Sequence, residues 1–103
     1  MMCTSWKARP IGSEAAKRMM EVWGKIEADL AENPAVERLC WYLYSDGSGG
    51  FTVERFTDSD AALAFSLESA LALGEYFEID TRPVHDLDSA LPSIAAAIER
   101  TNA

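Results

Sequence analysis

Two side chains stand out as proton-transfer candidates, Glu54 and His85. A carboxyl whose pKa is raised by burial, or an imidazole that titrates near neutrality, can serve as a general acid or base. His85 is the single histidine and follows the last predicted strand. It is either an ordinary surface residue or a base or ligand at a pocket mouth. Around these two the sequence offers a ligand-binding set: Trp6, Trp41, Tyr42 and Tyr44 as an apolar wall, and Glu54, Glu78 and Arg82 to orient a small apolar molecule. The same aromatics could pack a core or an interface. A Glu facing a closed cavity would also need a cationic partner such as Arg55 or Arg82. Cys3 and Cys40 lie in β-like segments without CxxC spacing, and one histidine cannot build a multi-histidine metal site, so no metal or other cofactor is expected. No Ser-His-Asp or Cys-His spacing is legible.

Asp46-Gly47-Ser48-Gly49-Gly50 invites comparison with a phosphate-binding loop. Such loops lead their glycines into a helix N-terminus, usually followed by Lys-Ser/Thr, whereas this one leads into the strand-like residues 51–56. The flanking residues support a glycine-rich hairpin instead.

Those side chains must be positioned by one small domain. With 103 residues, 49% of them hydrophobic, the chain forms a single unit over 1–103. So small a domain buries a modest share of its surface, and pairing with a second copy adds useful burial. Seventeen acidic residues against nine basic ones give a formal charge of −8, which repels nucleic acid and anionic membranes alike. Residues 1–10 hold Trp6, Lys7 and Arg9 without an apolar run, so neither a signal peptide nor an anchor is expected and a cytoplasmic location is.

Along the chain, residues 2–9 predict a strand ended by Pro10 and Gly12. Ser13 offers a cap to a helix over 13–32, whose apolar positions Ala16, Met19, Met20, Trp23, Ile26 and Leu30 recur at helical spacing. Asn33, tolerant of a left-handed cap, and Pro34 end it, and 35–38 read as a connection. Residues 39–44 and 51–56 predict a hairpin. A second helix follows from Asp58–Asp60 caps to Leu73, with the stripe Leu63, Leu67, Ala70 and Leu71 and a stop at Gly74. A fourth strand covers 76–82, and a last helix over 86–102 carries Leu91, Ile94, Ala95 and Ile98, with Asp88 or Ser89 as cap and Pro92 in its first turn.

The order strand, helix, strand, strand, helix, strand over a core of 2–84 predicts an α+β, ferredoxin-like βαββαβ fold. Right-handed crossovers would set both helices on one face of a four-stranded antiparallel sheet. Alternation groups Thr4, Trp6, Tyr42, Tyr44, Thr52, Glu54, Glu78 and Asp80 on one face, unless hairpin register exchanges the sets. An aromatic face without a third layer predicts closure against the same face of a second copy, a homodimer of the dimeric α+β barrel kind. The C-terminal helix would then cover a sheet edge or cross to the partner.

The run Trp41 to Gly50, with Glu54, Thr57-Asp58, Tyr76-Phe77-Glu78-Ile79 and Arg82-Pro83-Val84, resembles a family of uncharacterised bacterial proteins, domain of unknown function family 3303. That family looks like part of the dimeric α+β barrel superfamily, which includes small monooxygenases, haem-degrading enzymes and muconolactone-isomerase-like proteins. The resemblance implies a dimeric barrel, which either binds a small apolar or aromatic ligand or serves as a compact interaction module. Its alternative implication is a cofactor-independent monooxygenase or isomerase, for which Trp6, Tyr42, Glu54 and His85 are the residues to test. In that family a histidine follows the tryptophan, whereas Tyr42 stands here, so chemistry needing that histidine would be absent.

Overall fold

The computed structural model describes residues 1–102. Its elements are β1 (Met2–Ala8), α1 (Ser13–Ala31), β2 (Val36–Leu43), β3 (Gly49–Phe56), α2 (Ser59–Leu73), β4 (Phe77–Pro83) and α3 (Leu87–Thr101). The strands form one antiparallel sheet in the order β2-β3-β1-β4, so the two longest-range partners, β1 and β4, lie side by side and both crossovers are helical. The expected βαββαβ order with an added C-terminal helix is what the chain adopts.

Local chemistry explains the element ends. Asp58 accepts a hydrogen bond from the Ala61 N–H at 2.8 Å and caps α2, and Gly74 closes that helix. In the hairpin, Gly47 takes a positive φ of 73°, while Asp46 accepts from the Ser48 N–H at 2.9 Å. Three expected ends differ. Gly12, not Ser13, is the α1 cap and makes no side-chain bond. Asn33 is not left-handed; its side chain accepts from the Ala35 N–H at 3.0 Å, which turns the chain directly into β2. Asp86 caps α3 through the Asp88 N–H, which places Pro92 inside the helix rather than in its first turn.

The buried core consists of Trp6, Leu73, Tyr76 and Phe77, packed by Ala15, Met19, Val22, Trp23, Ile26 and Ile79. Two expected helix faces are rotated relative to it. Met20 is exposed, and Val22 takes its place in the core. On α2 the stripe Leu63, Leu67 and Leu71 faces away from the sheet, the last 87% exposed, while Ser69 and Leu73 point inward and Phe65 meets Phe56 at 5.3 Å. α2 is apolar on nearly every side, so spacing alone does not select its buried face.

The sheet faces are also sorted differently from simple alternation. Arg38 pairs with Glu54, but Cys40 pairs with Val53, so Leu39 is an extra residue in β2. This bulge inverts the alternation, and Trp41 and Leu43, rather than Tyr42 and Tyr44, share the helix-covered face with Thr4, Trp6, Thr52 and Glu54. Ile79 of β4 stands opposite Trp6 of β1, which turns Glu78, Asp80 and Arg82 to the other side. That open face also carries Cys3, Cys40, Tyr42, Phe51 and Val53.

Candidate functional site

The helix-covered face gathers polar groups where a core is normally apolar. Thr4 on β1 lies opposite Thr52 on β3, and one ladder step away Glu54 lies opposite Met2 and Arg38. Glu54 is fully buried, and the Thr52 hydroxyl donates to its Oε1 at 2.6 Å. Arg38 Nη2 stands 3.8 Å from the same oxygen, and its Nη1 bonds Glu27 Oε2 at 2.5 Å. Glu27 in turn accepts from Trp23 Nε1 at 3.1 Å, and the Arg38 guanidinium lies 4.7 Å from the centre of the Trp41 ring. A charged and polar chain therefore runs from α1 through β2 to β3.

Burial pushes the Glu54 carboxyl above its ordinary range and the nearby Glu27 adds to this; the Thr52 hydroxyl and the Arg38 guanidinium pull the other way. The Thr4 hydroxyl, Arg38 Nε and Glu54 Oε2 are buried without a hydrogen-bond partner. Buried polar groups are normally satisfied, so three orphans in one neighbourhood set this part of the core apart.

Aromatic rings form the walls. Trp23 meets Trp6 edge-on at 5.3 Å, stacks on Trp41 at 5.8 Å and meets Phe77 edge-on at 5.3 Å. The Trp6 ring lies directly over Gly50, where a Cβ would come within 2.6 Å of it. A cavity of about 50 Å³ is lined by Thr4, Thr52, Arg38 and Glu27 on its polar side. Next to it an open cleft of about 430 Å³ is lined by Trp6, Met20, Trp23, Trp41 and Leu43, and Trp6, Trp23 and Glu27 border both spaces. The cavity has the size of a water or a single functional group, whereas the cleft has that of a small organic ligand.

Of the residues expected from sequence, Trp6, Trp41 and Glu54 come together here. Tyr42, Tyr44, Glu78 and Arg82 lie on the opposite face, where Tyr44 and Glu78 border a shallow polar depression with Ser5, Lys7 and Asp80. Arg82 pairs with Asp80 at 2.8 Å and Arg55 with Glu37 at 3.3 Å, so neither partners Glu54. His85 is exposed in the link between β4 and α3, outside the cavity lining. Sequence reasoning missed Arg38, because residues 35–38 read as a connection, and Glu27, which it assigned to neither face of α1 although the residue lies four positions after Trp23, on the side of the apolar stripe. Among the described residues no group of three or more His, Cys, Asp or Glu is placed to hold a metal ion. No helix there is long and apolar enough to cross a membrane.

A dimeric ferredoxin-like protein of unknown function from Jannaschia sp. CCS1 superposes with a TM-score of 0.56 at 17% identity, covering 81% of this chain and 98% of that one. The fold is ferredoxin-like. A protein from Caulobacter crescentus CB15, proposed to be an antibiotic biosynthesis monooxygenase, gives a TM-score of 0.46 at 16% identity over 82% of this chain and 91% of that one. No family model matches the chain and no curated protein matches it in sequence, so membership of family 3303 is not shown.

Proposed function

We propose that this chain is a homodimeric binding protein for a small aromatic or apolar compound bearing an oxygen. The ring would occupy the cleft between Trp41, Met20 and Leu43, and the oxygen would reach the Thr4, Thr52 and Glu54 group. The observation that carries this reading is the set of three unpartnered buried polar atoms beside a tryptophan-walled cleft. The Thr4 hydroxyl donates or accepts a hydrogen bond, and burial disfavours a second negative charge beside Glu54, which suits a phenol or ketone better than a carboxylate. The open face, with Tyr42, Phe51 and Val53 flanked by Glu78, Asp80 and Arg82, would meet the second copy, as the dimeric state of the Jannaschia protein suggests. A cytoplasmic location fits the unpaired Cys3 and Cys40.

The test is titration of tryptophan fluorescence with phenol and 2-naphthol. Saturable quenching that weakens in Thr4→Val and Trp41→Ala supports the site; linear quenching without saturation, equal in all three proteins, removes it. A second reading, a cofactor-independent isomerase or monooxygenase, is favoured by one observation: a buried carboxyl with a raised pKa can exchange a proton with a bound substrate. In that case Glu54→Gln abolishes turnover while binding persists.

A further inference from the structure

α3 has no place in its own domain. None of its residues is buried, and Leu87, Leu91, Ile94 and Ile98 are 65%, 50%, 43% and 56% exposed along one stripe. Every hydrogen bond from its side chains ends on its own backbone, and none of the salt bridges among the described residues involves it. The Val84 N–H donates to the Met1 carbonyl at 2.9 Å, which fixes the exit of the chain at the end of the sheet. The longest dimension of the molecule is 59 Å, whereas α1, its longest helix, spans only ~28 Å. The ~22 Å of α3 account for most of the difference, so the helix projects as an arm.

Such an arm does not hold itself together. A helix of 15 residues is marginal alone, and Pro92 in its interior removes the bond to the Asp88 carbonyl. Its stability must come from a surface it packs on. The largest uncovered leucine ridge elsewhere in the chain is Leu63, Leu67 and Leu71 on α2, exposed by 57%, 53% and 87%. At about 200 Å² of accessible area per leucine or isoleucine, the two ridges together offer roughly 800 Å². Exchanged between two copies about a two-fold axis, the contact is made twice and reaches about 1,600 Å², the size of a standard stable interface. Two arms packed only on each other would bury roughly half of that, below the ~1,000 Å² that a stable pair needs.

We propose that α3 of each protomer docks on the Leu63, Leu67 and Leu71 ridge of a second copy of this chain, an exchange of C-terminal arms. The proposal goes beyond the ligand site, and it shares with that reading only the homodimer. It is tested by sedimentation equilibrium of the full chain, its Leu67→Glu and Leu91→Glu variants, and their equal mixture, with far-UV circular dichroism to verify folding. Both leucines are exposed in the protomer, and Leu67→Gln and Leu91→Gln replace any glutamate variant that misfolds. Each variant spoils two contacts per dimer and is expected to weaken association by about 100-fold or more. The mixture regains one intact arm contact and associates about tenfold more tightly than either variant alone. A monomeric wild type, an unchanged dissociation constant in either variant, or a mixture no tighter than its components overturns the proposal. If Tyr42→Glu dissociates the dimer while neither leucine variant does, the open-face contact stands and the arm exchange falls.

Discussion

Replacing Glu54 by Gln should make the protein more stable at neutral pH while leaving it nearly unchanged near pH 4. The unfolded chain ionises this carboxyl around its ordinary value of 4.5, whereas the folded protein holds the proton to a higher pH because burial penalises the charge. Between those two values the native state binds more protons than the unfolded one, so stability falls as pH rises. Below 4.5 both states are protonated and the penalty is absent; above the folded value it is present in full. One proton of difference sets the steepest slope at about 1.4 kcal/mol per pH unit, or roughly 5–10 °C in Tm for a domain of this size. Gln keeps an oxygen to accept from the Thr52 hydroxyl and carries no charge to desolvate. The assay is thermal unfolding of both proteins at fixed concentration from pH 4 to 8, read as the difference in Tm so that the other carboxyls cancel. A difference that does not change with pH, or one that moves in favour of the wild type as pH rises, would refute the burial argument.

Other perturbations address the surrounding structure. Arg38→Met removes the cation beside Glu54 and should extend the declining limb of the same pH series to higher pH while its onset near 4.5 stays in place, an extension that an unchanged profile would contradict. Gly50→Ala drives a methyl into the Trp6 ring and the Tyr42 carbonyl and should cost about 1–3 kcal/mol in urea unfolding, with altered near-UV circular dichroism from the tryptophan group. Asp58→Ala should cost about 1 kcal/mol by the same measure, because the Ala61 N–H loses its acceptor.

The fold was legible because its signals are local and redundant: the turn at Asp46 to Gly50, the cap at Asp58 and the stop at Gly74 sit where their residue types predict. The site was only half legible. Trp6, Trp41 and Glu54 were singled out, but their separation from Tyr42, Tyr44, Glu78 and Arg82 depends on Leu39 and on strand register, which residue types do not encode. Arg38 and Glu27 join Glu54 from α1 and β2, so the cluster exists only after long-range pairing. The buried side of α2 was illegible for a different reason, since a helix apolar all round offers several equivalent stripes and packing against Phe56 decides among them.

The bulge at Leu39 lets β2 carry one residue more than the stretch of β3 it pairs with. Any apolar side chain could replace Leu39 at small cost, for it is half-exposed and its role is to occupy a position. Removing it would regularise the strand. With one residue fewer, Arg38 opposite Glu54 would be followed directly by Cys40 opposite Val53 and Trp41 opposite Thr52, a continuous ladder that keeps Arg38 and Trp41 on the helix-covered face. A single-codon deletion would therefore leave the guanidinium over the indole it covers, and what it would remove is the local bend and added twist that a bulge gives to β2.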